Sequence, residues 1–135
     1  MAIKISTRLD GITASQLEGG FWEGWPSHPA PDRHLELLHA SLAVAVALHG
    51  DEVVGFATAV GDGILCAYIP LLEVLPSHRG YGIGTRLITA LIDELAPCYM
   101  IDAACDDDVV PFYHRLGFTR TNAMICRDYT FQAGR

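Results

Sequence analysis

Residues 73–87, Glu73-Val74-Leu75-Pro76-Ser77-His78-Arg79-Gly80-Tyr81-Gly82-Ile83-Gly84-Thr85-Arg86-Leu87, constrain the fold more than any other part of the chain. An apolar strand runs into Pro76. A loop follows with glycines at 80, 82 and 84, and a periodic helix begins. Glycines between a strand and a helix let backbone N–H groups face outward with no Cβ in the way. The helix start adds free N–H groups and the positive end of its dipole. Together they form a site for phosphate or pyrophosphate.

The flanking pattern places this loop in a mixed fold. Ala2–Thr7 alternates as a first strand. Thr13-Ala14-Ser15-Gln16 opens a brief helix with a capping box. Asp32 reads as the N-cap of a second helix reaching about Ala40. Leu42–Leu48 is a strand, His49-Gly50-Asp51-Glu52 a hairpin turn, and Val53–Val60 the returning strand. Ile64–Leu75 is the next strand, and Pro70 inside it predicts a bulge or a break in pairing. Leu87, Ile88, Leu91, Ile92 and Leu95 give the helix after the loop one apolar face, ended by Pro97. Tyr99–Ala104 is a strand, and a helix containing Phe112, Tyr113 and Leu116 ends at Gly117. Two last strands are predicted over Phe118–Thr121 and Ala123–Phe131.

With 135 residues, the chain reads as one domain over 1–135. The net charge of −7 argues against a nucleic-acid partner and is compatible with a cationic substrate. No window resembles a membrane span, the N-terminus lacks a signal-peptide core, and a cytoplasmic location is the default. The four cysteines, Cys66, Cys98, Cys105 and Cys126, read as buried reduced thiols. The scattered histidines give no metal pattern, so no metal is expected. Phe21-Trp22-Glu23-Gly24-Trp25 holds both tryptophans; it reads either as an aromatic cap on the core or as a wall of a substrate pocket.

The loop fits neither a P-loop, lacking its Gly-Lys-Ser/Thr, nor a dinucleotide fingerprint, since antiparallel strands precede it. Val74-x-Pro76, then Arg79-x-x-Gly82-x-Gly84, then a helix and a strand, then Pro111-Phe112-Tyr113-His114-Arg115-Leu116-Gly117-Phe118, resembles the GNAT superfamily of N-acetyltransferases. Tyr68–Pro76 is similar to a subgroup of small bacterial members.

The resemblance implies a mixed, mostly antiparallel α/β sheet of six or seven strands with helices on both faces. It implies acetyl-CoA as co-substrate. The backbone of Arg79, Gly80, Tyr81, Gly82, Ile83, Gly84 and Thr85 would bind the CoA pyrophosphate. The main chains of Leu72 and Val74 would hold the pantetheine arm. Asp106 stands where the family often has an Asn on that arm; it also suits a helix N-cap. Tyr113 matches the tyrosine beside the CoA sulfur and would protonate the departing thiolate, its other reading being a core aromatic beside Phe112. Relatives place a Glu or His base where this chain has Tyr68 and Pro70. Glu73 is the named substitute, with ordered water, Asp62 and Asp102 as alternatives. Trp22, Trp25 and Tyr68 are the acceptor-binding candidates.

The expected function is direct acetyl transfer to a primary amine of a small molecule or peptide, in a ternary complex. The acceptor is open among polyamines, amino acids, aminoglycoside-like drugs and protein N-termini. The rivals are a non-catalytic acyl-CoA sensor and a regulatory interaction domain. Many relatives are dimers, and a homodimer is compatible with this chain.

Overall fold

The computed structural model describes residues 1–135. A five-stranded sheet has the order β1-β2-β3-β4-β5, formed by Lys4–Ser6, Ala43–His49, Glu52–Gly61, Cys66–Val74 and Met100–Ala103. The first four strands pair antiparallel, and β4 pairs parallel with β5. Short connections account for the antiparallel part. The two-residue turn Gly50-Asp51 lets His49 face Glu52 directly. The β4–β5 pair needs a crossover, which helix α2 (Ile83–Leu95) supplies.

Helices cover both faces of the sheet. α2 buries Ile83, Leu87, Ile88 and Leu91 and packs on β1–β4. Across the sheet, α1 (Pro31–Ala40) buries His34 and Leu38, and Phe56 of β3 meets the His34 ring at 4.4 Å. Pro31 occupies the first turn of α1, where its missing N–H costs nothing, and Ala30 is the N-cap. Asp32 is therefore a first-turn residue rather than the cap. The capping box at Thr13 and Gln16 forms as the sequence predicts, although it opens only a 3-10 turn, Ala14–Leu17.

Two further expectations are corrected. The sheet has five strands, not six or seven, because Phe118–Thr121 and Ala123–Phe131 form no strand. Beyond α3 (Val110–Arg115), residues 119–127 make no backbone–backbone hydrogen bond. The end of the tail is tied to α1 instead: Arg33 Nε donates to the Gly134 carbonyl at 2.9 Å, and Arg135 lies 3.5 Å from Asp32. Lastly, no cysteine is fully buried: Cys66 and Cys98 are half-buried, while Cys105 and Cys126 are exposed, all four as free thiols.

His34 sits wholly inside the core among Phe21, Trp22 and Phe56. Neither ring nitrogen has a hydrogen-bond partner, nor does the hydroxyl of Thr58 on the same face of β3. Burial pushes the imidazole down from 6.5 to about 4. Between those values the unfolded chain takes up a proton that the folded chain refuses, so the contribution is complete above about pH 6.5 and is lost as pH falls toward 4. The loss amounts to at most about 3 kcal/mol. Denaturant titrations across pH 4–7 should show this slope in the wild type. His34→Phe should flatten it, and an unchanged slope would exclude His34 as its source.

Candidate functional site

The site begins where two strands part. β4 and β5 stay in register from Cys66↔Met100 to Ile69↔Ala103; β5 then ends while β4 continues to Val74. Pro70 lies at this point. It has no N–H to offer a ladder. On the other side, the β3–β4 register shifts between Thr58↔Leu71 and Val60↔Tyr68, so Ile69 and Pro70 together oppose Ala59. This is the bulge predicted from the sequence. Beyond it the β5-side edge of β4 has no strand partner. Backbone groups alternate direction along a strand. Leu75 N–H points to β3, donating to Val54 O at 2.8 Å, so Val74 and Leu72 point the other way, into the opening. The Val74 carbonyl indeed accepts from Arg79 Nε at 3.0 Å.

The glycine loop sits at the same end. Gly80 and Gly82 have φ of 84° and 77°, values that a side chain disfavours. Gly82 is the N-cap of α2, and no side chain bonds the helix start. The first N–H groups of Ile83, Gly84 and Thr85 are thus left for a ligand. A Cβ at Gly84 would lie 3.4 Å from the Phe112 ring, at van der Waals distance, so α3 packs against the helix start. The Tyr81 side chain is exposed.

Glu73 is held firmly. Its carboxylate accepts from Trp22 N–H at 2.8 and 2.9 Å and from Glu23 N–H at 3.1 Å. Trp22 has φ 74°, a costly conformation for an aromatic residue. Glu73 therefore clamps a strained turn. A carboxylate held by two main-chain donors, one of them shared between both oxygens, serves as an anchor for this turn. The turn then reaches the loop: Glu23 accepts from Arg79 Nη2 at 2.6 Å. Glu23 escaped the sequence reading, because its partner lies 56 positions away and nothing local marks it.

The two tryptophans differ in exposure. Trp22 is 5% exposed and belongs to the core. Trp25 packs on it with the rings tilted and their centroids 5.0 Å apart, and opens onto a cleft of about 270 Å³ shared with Tyr129 and Phe131 of the tail. A larger groove, about 720 Å³, lies at the far end of α2 by Glu94 and Leu95, away from the glycine loop.

Tyr113 is buried between Phe112 and Phe118, each ring 5.1 Å away. Its hydroxyl has no protein partner, yet is not sealed from solvent. Burial first, then neighbouring Cys105 and Tyr68, push its pKa up to about 12. Tyr68 lies across from Asp102 at the last paired stretch before the opening. Asp106 caps the turn Asp107–Val109 with its carbonyl, accepting from Val109 N–H at 2.9 Å, and its carboxylate makes no bond. Asp62 accepts from the N–H groups of Ile64, Leu65 and Cys66. Those three bonds hold its pKa far below the usual carboxylate range, which removes it as a base. No group of three His, Cys, Asp or Glu side chains converges as a metal site.

A mixed sheet parted between β4 and β5, with an N–H-lined loop at its mouth, defines an α/β fold with one open site. Residues 12–118 match the Acetyltransferase (GNAT) family, and the chain belongs to it. A crystal structure of a candidate acetyltransferase from Deinococcus radiodurans R1 is 47% identical, with TM-score 0.94, covering 97% of this chain and 92% of that one. The chloroplastic GCN5-related N-acetyltransferase 3 of Arabidopsis thaliana is 36% identical over 78 residues, 56% of this chain. The chain spans a third of the length of the curated relatives it matches. Aminoglycoside N-acetyltransferase AAC(6')-Iy, solved in complex with CoA, is 22% identical with TM-score 0.70 over 94% of each chain, a likeness of fold alone.

Glu73→Ala should release the Trp22 turn. Both tryptophans of the chain lie there, so intrinsic fluorescence reports it directly. The expected result is a red shift and a stability loss of about 1–3 kcal/mol. An unshifted spectrum would show that the turn holds itself.

Proposed function

We propose that this chain, as one domain over 1–135, is an acetyl-CoA-dependent N-acetyltransferase acting on a primary amine by direct attack in a ternary complex. The observation that carries the reading is the parting of β4 from β5 beside an N–H-lined loop. The backbone of Arg79, Gly80, Tyr81, Gly82, Ile83, Gly84 and Thr85 takes the pyrophosphate. The outward main-chain groups of Leu72 and Val74 take the pantetheine arm as a strand would. Asp106 offers a free acceptor near the other lip. The acetyl thioester then lies between the strands, close to Tyr113.

The neutral amine attacks the thioester carbonyl carbon. The C–S bond breaks, and Tyr113 gives its proton to the departing thiolate. With its pKa pushed up to about 12, Tyr113 is still a proton donor as a lysine-like amine, near 10.4, loses its own proton. The ammonium proton leaves through water, since Glu73 is engaged as an anchor. Trp25 and Tyr68 line the acceptor side, with Trp22 supporting Trp25 from the core. The acceptor is a small-molecule or peptide amine, and the net charge of −7 favours a cationic one. No helix is long and apolar enough to cross a membrane, and the proposed location is cytoplasmic.

The lack of a free carboxylate on β4 lends some support to a second reading, a non-catalytic acyl-CoA sensor. Tyr113→Phe separates the two. Under the enzyme reading, CoA and acetyl-CoA raise the melting temperature of both forms equally. Turnover across an amine panel falls about 100-fold in the variant. The wild-type rate climbs with pH as the amine deprotonates and shows no fall from Tyr113 below about pH 11. Binding without turnover in the wild type would establish the sensor; absence of CoA stabilisation would overturn both.

A further inference from the structure

His49 and His78 are 29 positions apart in sequence, and the fold brings their rings together. His49 Nδ1 lies 3.0 Å from His78 Nε2, with the ring centroids 5.2 Å apart. His49 ends β2 at the hairpin turn. His78 ends the 3-10 turn Pro76–His78, which leads into the glycine loop. Neither ring has a part in the site described above. His49 is exposed and His78 half-buried, so ions in solvent can reach the pair.

The pairing is built into the backbone. The β2–β3 register shifts between Ala47 and Leu48, which leaves Val54 as the extra residue of a bulge. Val54 O accepts from Leu75 N–H at 2.8 Å, and Leu75 O accepts from His78 N–H at 2.9 Å. Two main-chain bonds thus tie the end of the hairpin to the turn that carries His78. The other nitrogen of His78, Nδ1, lies 2.7 Å from Ser77 Oγ. When Ser77 accepts from Nδ1–H, Nε2 keeps its lone pair, the state in which an imidazole ligates a metal. Glu52 faces His49 across the turn and is exposed, so a carboxylate flanks the pair. The neighbouring cation, Arg79, is already engaged by Glu23.

Two neutral imidazoles in this contact share one proton, carried by one nitrogen and accepted by the other. A divalent ion can take its place. Zn²⁺–N bonds of about 2.0–2.1 Å put two ligating nitrogens roughly 2.9 Å apart at a right angle and roughly 3.3 Å apart at the tetrahedral angle. The observed 3.0 Å falls between them. Small ring rotations turn both lone pairs onto one ion. The displaced proton moves to the other nitrogen of its own ring, either His49 Nε2 or His78 Nδ1 facing Ser77, so both rings stay neutral. We infer that His49 and His78 form a binding site for a divalent transition-metal ion of the zinc class, with water completing its coordination. Imidazole suits Zn²⁺, Ni²⁺ and Cu²⁺, whereas Mg²⁺ and Ca²⁺ prefer oxygen. With two protein ligands the site is open, unlike a closed structural zinc centre. The bound ion joins the hairpin to the residue before Arg79 and so braces the entrance of the glycine loop. The site does not depend on the proposed acetyl transfer.

The test uses the full chain with ¹⁵N-labelled histidine rings, titrated with Zn²⁺ at slightly alkaline pH and followed through the ring nitrogens by NMR. Zn²⁺ taken up by the free thiols leaves these nitrogens unshifted, so the readout separates the two kinds of ligand. The expected result is that His49 Nδ1 and His78 Nε2 shift together with one midpoint. In His49→Gln the His78 response should need at least about tenfold more Zn²⁺, and in His78→Gln the His49 response likewise. Rings that shift with different midpoints overturn the inference, as does a response unchanged by loss of the other ring. Mg²⁺ should shift neither ring, and a Mg²⁺ response overturns the class of ion assigned. Rings that stay unshifted at millimolar Zn²⁺ are a plain hydrogen-bonded pair, and that result also overturns the inference.

Discussion

The parting of β4 and β5 is the constraint on which the rest of the site depends. A continuous ladder would use every main-chain group of β4 and leave none free. Two local facts prevent this. Pro70 contributes no N–H where the parallel ladder would continue, and β5 stops at Ala103. The bulge opposite Ala59 absorbs the change in register, so the β3 side stays paired to Val74 while the other side opens. One residue type at one position thus converts a structural strand into a binding edge, without loosening the core behind it.

The opening is braced from the other face of the sheet. Glu73 lies across from Phe56 on β4, and its carboxylate reaches the N–H groups of Trp22 and Glu23. Glu23 then pairs with Arg79 at the mouth of the glycine loop. This contact is half-exposed on both sides and contributes little stability by itself. Its importance is geometric. The guanidinium that would meet an anionic ligand is already oriented by Val74 and Glu23, and the same contact reports the position of the aromatic turn. A phosphate arriving at Arg79 would compete with Glu23, so the two halves of the site are not independent.

Much of this was legible in the sequence, and what was not had a physical reason. The hairpin at Gly50-Asp51, the bulge at Pro70 and the helix after Gly82 were all readable, because each is set by residues adjacent in sequence. Tyr113 was singled out from the other tyrosines only by its resemblance to a family motif. The anchor role of Glu73 was hidden, since it depends on a backbone turn 51 positions away. The last two strands show the opposite failure. Their residues have strand-like chemistry, but residues 119–127 join no strand edge and make no main-chain hydrogen bond to other backbone. Local propensity describes what a segment can form; the edge it meets decides whether it forms.

Net charge raises a final question about the loop. A chain carrying −7 should repel a pyrophosphate at long range. Repulsion between separated exposed charges is largely screened at physiological salt, whereas N–H groups at a helix start act over a few ångströms. Part of the acid is also neutralised or displaced locally: Glu23 is paired with Arg79, Glu73 is satisfied by main-chain donors, and Asp106, Asp107 and Asp108 lie on the turn after β5 rather than in the glycine loop. The loop sequence from Arg79 to Thr85 contains no acid at all. Anion binding here can therefore rest on backbone geometry fixed by Gly80 and Gly82 with one arginine at its edge, while the surrounding acid favours the opposite charge on the acceptor.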